Sequence, residues 1–223
     1  MDDLGKIFPE FEKCKYSIKL FKSTQEIEKI GLLNTELKRQ KKKIRISSIF
    51  KIFDKGLVEE TEVVVDNKNF NPTEYNAIFK KNDKSIKCIG KYGKKKLLIE
   101  VITNKKSKKF KIPLKGLYFD NSTIFYVARA FALNRFRKGR FNAINVLYGV
   151  TTPVTLEISG DEILKLDVKE YSCKVVKLNF ESDNKTLSQR LYYDKKHPNL
   201  LIKNVLGPQV IELEEKCFSD SVE

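Results

Sequence analysis

His197 is the single histidine of the chain. It stands in the run Tyr193-Asp194-Lys195-Lys196-His197-Pro198. A histidine-dependent triad needs a nucleophile and an orienting acid brought together by the fold. This run reads instead as a loop before a strand, and a structural role is the expectation. One imidazole would need Cys or carboxylate partners to hold a metal, and no spacing supplies them. Cys14, Cys88, Cys173 and Cys217 lie too far apart for a CxxC, so neither a zinc knuckle nor a dithiol redox motif follows as a local motif. Buried free thiols are the default, with every pairing left open. Asp and Glu number 29, but a catalytic carboxylate pair meets only in the fold, and Glu59-Glu60 and Asp161-Glu162 read as turn or edge residues. The glycines are scattered, with neither GxGxxG nor a P-loop to cradle phosphate. The expectation is a non-enzyme without cofactor or metal.

The remaining chemistry is charge. The net charge is +15, which suits nucleic acid or an anionic membrane. The cations are mostly Lys, whereas Arg is the residue for bidentate phosphate and base contacts. In an up-and-down meander, Lys41-Lys42-Lys43 and Lys94-Lys95-Lys96 fall at one end of the sheet, and Lys84 and Lys105-Lys106 at the other. Charge on both rims, with only Tyr92 and Phe110 interleaved, argues against one nucleic-acid footprint. A local anion contact is expected at Arg135, Arg137, Lys138 and Arg140, just beyond the one helix.

The elements that must position these residues follow from periodicity. Ile44, Ile46, Phe50 and Ile52 alternate with Arg45, Ser47 and Lys51, the period of a half-buried strand. The same rhythm recurs through Val63-Val64-Val65, Tyr75 to Phe79, Ile86 and Cys88, Leu97 to Val101, and Phe110 to Ile112. It returns in Ala143 to Tyr148, Val154 to Ile158, Leu164 to Val168, Val176 to Phe180, Leu187 to Tyr193, and Leu200 to Leu213. Asp54-Lys55-Gly56, Asn82-Asp83-Lys84, Ser159-Gly160-Asp161, Asp183-Asn184-Lys185 and Gly207-Pro208 are turns. Residues 23–40 fit a helix or a strand, and Gly31 favours a bent strand. Residues 1–13 read as a loosely held arm, 14–215 as a single domain and 216–223 as a tail.

One segment breaks the rhythm. Asp120 to Lys138 carries Ile124, Phe125, Ala128, Phe131, Ala132 and Phe136 at helical spacing. Asp120, Asn121 or Ser122 can cap it, and Gly139 can close it. So many short strands must curl or close, and one helix covers such a sheet only from the concave side of a curve. The fold class expected is therefore mainly β: a curved antiparallel meander, a half-barrel wrapped on a central helix. Its concave face offers an apolar cleft, with Ile124, Phe125, Ala128 and Phe131 from the helix and Val176, Leu178, Phe180 and Leu191 from the sheet.

From about Ile44 to Leu213 the chain resembles the LolA/LolB-like lipoprotein-carrier superfamily, and within it the envelope half-barrel proteins. The residues that carry this are Val65-Asp66 followed by Phe70 and Pro72, the helix entered from Leu117-Tyr118-Phe119, and Tyr192-Tyr193-Asp194 to His197-Pro198 followed by Leu200 to Leu213. The resemblance implies a curved sheet with an apolar concave face that binds acyl chains or lipoprotein-like ligands. The chain departs from the pattern in lacking a leader or lipobox Cys and in being basic. MDDLGKIFPE has no apolar h-region, so the chain is either cytoplasmic or the mature part of an extracytoplasmic protein of the periplasm or envelope. Three functions are thus in play: a carrier of a hydrophobic ligand or lipidated partner, with an anionic membrane surface as a further partner; an envelope interaction module with a filled core; and, disfavoured, a nucleic-acid binder. No residue pattern bears on oligomeric state.

Overall fold

A computed structural model describes residues 7–23, 26–104, 106–134, 137–182 and 185–220. In chain order the elements are β1 (Phe11–Phe21), β2 (Ile27–Arg39), β3 (Lys43–Ile52), β4 (Leu57–Asp66), β5 (Pro72–Lys81), β6 (Lys84–Tyr92), β7 (Lys96–Thr103), β8 (Ser107–Pro113) and β9 (Tyr118–Asp120). A 3-10 turn, Asn121–Thr123, leads into α1 (Ile124–Leu133). There follow β10 (Lys138–Asn145), β11 (Val150–Leu166), β12 (Lys169–Ser182), β13 (Lys185–Asp194), β14 (Leu201–Leu206) and β15 (Gln209–Ser219).

All the strands form one sheet in the order β8 to β1, then β15 to β9. The N-terminal strand thus lies beside the C-terminal one, with Ile18 opposite Ile211. Chain neighbours pair antiparallel, except that β9 runs parallel to β10 and β8 does not pair with β9. The alternation read from sequence becomes rows of side chains crossing the sheet, because opposed residues share a face. One such row is Ile158, Val176, Leu191, Asn204, Ile211, Ile18, Gly31, Ile52 and Leu57. Gly31 occupies its place because a Cβ there would stand 2.1 Å from the Lys51 carbonyl oxygen. On its other side β2 pairs with β1, and the register shifts between Ile18 and Lys19, next to Gly31; residues 27–39 are a strand with a bend.

The two free edges, β8 and β9, are joined by four residues, so the sheet curls until its ends nearly meet without forming a ladder. Across the gap the Tyr92 hydroxyl of β6 donates to Asp120 Oδ2 of β9 at 2.6 Å, and Tyr92 stacks on Tyr118. The Leu114 amide bonds back to Lys95, and Leu117 accepts from the Asn142 amide. The result is an open, strongly curved half-barrel around one α-helix.

Several expectations need correction. The helix is shorter than Asp120 to Lys138. Its start is taken by the parallel pairing of 118–120 with β10, and Lys138 and Gly139 belong to β10. Asn134 ends the helix, its backbone and side-chain N–H groups both donating to the Ala130 carbonyl. Gly139 caps nothing; it lets the helix seat, since a Cβ there would lie 2.5 Å from the Phe131 ring. Ser159-Gly160-Asp161 is not a turn. Gly160, at φ 130°, is a bulge inside the continuous β11, and the chain reverses at Asp167 and Val168. The N-terminal residues are not loose where they are described, for Phe8 is in the core and β1 begins at Phe11. The tail is also shorter, because β15 runs to Ser219.

Candidate functional site

α1 occupies the centre of the concave face. Ile124, Ala128 and Phe131 are buried, as are Val176, Leu178 and Leu191 beneath them. These six residues, expected from sequence to wall a cleft, form the packed seat of the helix and not open walls. Phe125 is partly buried and borders a void of about 20 Å3 with Tyr16, Tyr126 and Tyr193, too small for more than a water molecule. Phe180 alone of the eight lines an open groove.

The helix is held by a polar clasp that sequence reading missed. Arg129 points into the protein and is 2% exposed. Its Nη1 donates to Glu12 Oε2 at 2.6 Å, its Nη2 donates to the Pro198 carbonyl, and its guanidinium lies over the Phe8 ring at 4.9 Å. The Tyr193 hydroxyl donates to the Phe125 carbonyl at 2.6 Å. Together these tie the helix to β1, β13 and the loop around Pro198. A buried ion pair is a poor source of net stability, but it fixes one arrangement because either charge left alone is costly. The one sequence signal was Arg129 itself, a charge at a core position of the helical period.

Open space remains at the end of the half-barrel where the helix begins. The registers place Phe141, Val154, Phe180 and Leu187 in one row across β10 to β13. Beside that row is a groove of about 360 Å3, lined by Asn121, Ala143, Val150, Phe180, Leu187 and Gln189. Leu187 and Val150 are about half exposed. The Gln189 side-chain oxygen is buried with no hydrogen-bond partner among the described residues. On the other side of Asn121 a second hollow of about 150 Å3 is lined by Leu57, Glu59, Tyr75, Phe79, Asp120 and Tyr148.

Asp120 sits in the wall of that hollow, 1% exposed. Burial pushes its carboxyl up to about 6, against the pull of hydrogen bonds from Tyr92 and Ser122. Glu59 is raised by burial as well, and its Oε1 accepts from Thr61. Tyr75 and Tyr92 are raised chiefly by burial, with the Asp120 charge adding to it. Glu59, Tyr75 and Asp120 in this wall, with Tyr92 bonded to Asp120 behind it, can hold a proton or bind a polar head.

Three of the four residues expected to contact an anion are described. Arg135 falls outside the described residues. Arg137 and Lys138 are exposed, and Arg140 is engaged by Glu181 at 2.9 Å. Cys14, Cys88 and Cys173 are buried free thiols, and Cys217 is an exposed one. Among the described residues no group of His, Cys, Asp and Glu is arranged to hold a metal ion, and no helix is long and apolar enough to cross a membrane.

Comparison with known proteins bears on fold and family. The model of the DUF3108 family, described as a protein of unknown function, matches residues 15–213. A crystal structure of a beta-barrel-like protein of domain of unknown function DUF1849 from Brucella abortus is similar, with a TM-score of 0.66 at 9% identity over 96% of this chain and 99% of that one. A putative exported protein with YmcC-like fold from Bacteroides fragilis aligns over 94% of this chain and 98% of its own, at 6% identity and a TM-score of 0.32. No curated protein matches the sequence.

Proposed function

The chain belongs to the DUF3108 family, and from that premise we propose that it is a non-catalytic binding module which takes one apolar segment, such as an acyl chain, into the mouth of its half-barrel. The observation that carries this reading is the groove beside Phe180 and Leu187, an apolar row of the core left uncovered where the helix begins. Its volume, about 360 Å3, falls within the range of small-molecule sites. Covering Leu187 and Phe180 would remove apolar area from water at ~25 cal/mol per Å2. The Gln189 oxygen, buried beside the groove without a partner, could accept from a hydroxyl or protonated carboxyl only if the side chain turned towards the ligand.

In this reading the protein is related to LolA/LolB-like carriers and works on lipid or lipidated partners of the envelope. Here α1 fills the centre of the hollow and leaves the end open. A filled centre also suits an interaction module that recruits a partner strand. The edges disfavour that alternative. β9 has three residues, and β8 reads Ser-Lys-Lys-Phe-Lys-Ile-Pro, a sequence that resists strand addition through Lys and Pro.

The test is titration with a dansyl-labelled fatty acid and displacement by unlabelled oleate. The wild-type chain should bind saturably, and Leu187→Asp, at a half-exposed position, should weaken binding by about tenfold or more. Absence of saturable binding, or equal binding by Leu187→Asp, would defeat the proposal.

A further inference from the structure

The basic charge of this chain is concentrated in one place. Residues 81–115 hold thirteen lysines against Asp83 and Glu100, a net charge of +11 out of +15. They run from the end of β5 through β6, β7 and β8, the last three strands at one side of the sheet. These lysines lie at both ends of the strands. The strand order brings the two rims together as one lateral edge.

The side of this edge that faces away from the core has a definite composition. Leu97, Ile99, Cys88 and Ile112 point inward, so the alternate residues face outward. Across the registers these are Lys91, Leu98 and Lys111 in one row, Ile89, Glu100 and Lys109 in the next, then Ile78, Lys87 and Ile102. Leu98 is 43% exposed. Among the described residues, Lys109 alone of the lysines in 81–115 has an ion-pair partner, Glu100 at 3.8 Å. Elsewhere on this side of the sheet several cations are paired: Lys43 with Glu74, Lys80 with Glu60, Arg45 with Glu62 and Lys15 with Glu215.

We propose that the outward side of the β6–β8 edge is a docking face for an anionic lipid surface. Unpaired ammonium groups interleaved with aliphatic side chains match the negative headgroups and shallow apolar layer of such a surface. The complementarity is to charge density and not to a base sequence. The segment contains no Arg to read base edges, and its aromatics, Tyr92 and Phe110, pack against the core, so no stacking platform is exposed. The face is separate from the mouth groove, and the fatty-acid titration uses neither vesicles nor these lysines, so either proposal can fail while the other stands.

The experiment is co-sedimentation of the full chain with vesicles of phosphatidylcholine alone and of phosphatidylcholine mixed with phosphatidylglycerol, across a salt series, with a duplex DNA oligonucleotide assayed in parallel by anisotropy. Binding should require phosphatidylglycerol and fall as salt rises. Replacing Lys87, Lys91, Lys109 and Lys111 together by Gln should weaken it by at least about a hundredfold. The same change at Lys55, Lys165, Lys169 and Lys185, exposed lysines elsewhere, should alter it by less than about threefold. Equal binding to neutral vesicles, equal loss in the two quadruple variants, no vesicle binding, or tighter binding to DNA would each overturn the proposal. The comparison of neutral with anionic vesicles uses the unaltered chain and does not depend on how a variant folds.

Discussion

Replacing Asp120 by Asn tests the electrostatics at the seam of the half-barrel. Asp120 caps the turn that begins the helix through its Oδ1, which accepts from the Ser122 amide at 2.8 Å, and it bridges the two sheet edges through its Oδ2. Its carboxyl moves from 3.8 to about 6, chiefly because burial penalises the charge. The folded state therefore holds this proton more tightly than the unfolded state. Stability from this group is highest below the unfolded value, falls as pH rises from about 4 towards about 6, and is lowest above that. The shift of roughly two units corresponds to about 3 kcal/mol at neutral pH. Asn keeps an oxygen for the Ser122 amide and never ionises. It exchanges an acceptor for a donor at Tyr92, which costs about 1 kcal/mol.

The Asn variant should then be more stable than wild type by about 2 kcal/mol near pH 8, and equal or slightly less stable near pH 4. Urea unfolding followed by far-ultraviolet circular dichroism, at a series of pH values and with unchanged slope, gives the difference directly. Other carboxylates cancel between the two proteins because only one site is altered. A variant that is less stable by the same amount at both pH values would refute the reasoning, for it would mean that hydrogen bonding outweighs desolvation and Asp120 is held ionised.

Other outcomes follow from the buried groups. Arg129→Met should destabilise by about 3–5 kcal/mol by leaving Glu12 buried and unpaired, and adding Glu12→Gln should recover part of that loss; urea midpoints measure both. Burial pushes the thiols of Cys14 and Cys173 up to about 12 and that of Cys88 up to about 11, whereas Cys217 is exposed. In the native protein a thiol reagent near neutral pH should thus label Cys217 and spare the other three until urea is added. Rapid labelling of more than one thiol would contradict this packing.

Much of the architecture was legible because its causes are local. Two-residue alternation marks a strand wherever one face is buried, and Asp54-Lys55-Gly56 or Gly207-Pro208 turns the chain whatever surrounds it. Helix ends were less legible. Residues 118–120 have no turn or period that announces a strand; they are one because β10, more than twenty residues on, is there to pair. Gly160 reads as a turn by composition and becomes a bulge because β12 continues the ladder past it. The candidate cleft shows the same division. Periodicity puts the eight cleft residues on one face of their elements, but whether that side is open depends on how deeply the helix seats, and Gly139 and Arg129 decide that.

By itself the amino-acid order determined which segments alternate, where the helix has its centre, that no motif for metal or phosphate is present, and that lysine is dense between residues 81 and 115. Each of these is a property of neighbours along the chain. The three-dimensional arrangement decided what distant segments do to one another: Glu12 meets Arg129 across 117 positions, β1 lies against β15, and the lysine-dense strands become an edge. The physical reason is that burial and pairing depend on separation in space. The loops that set this separation leave many closures available, and only packing of the whole sheet around α1 selects one.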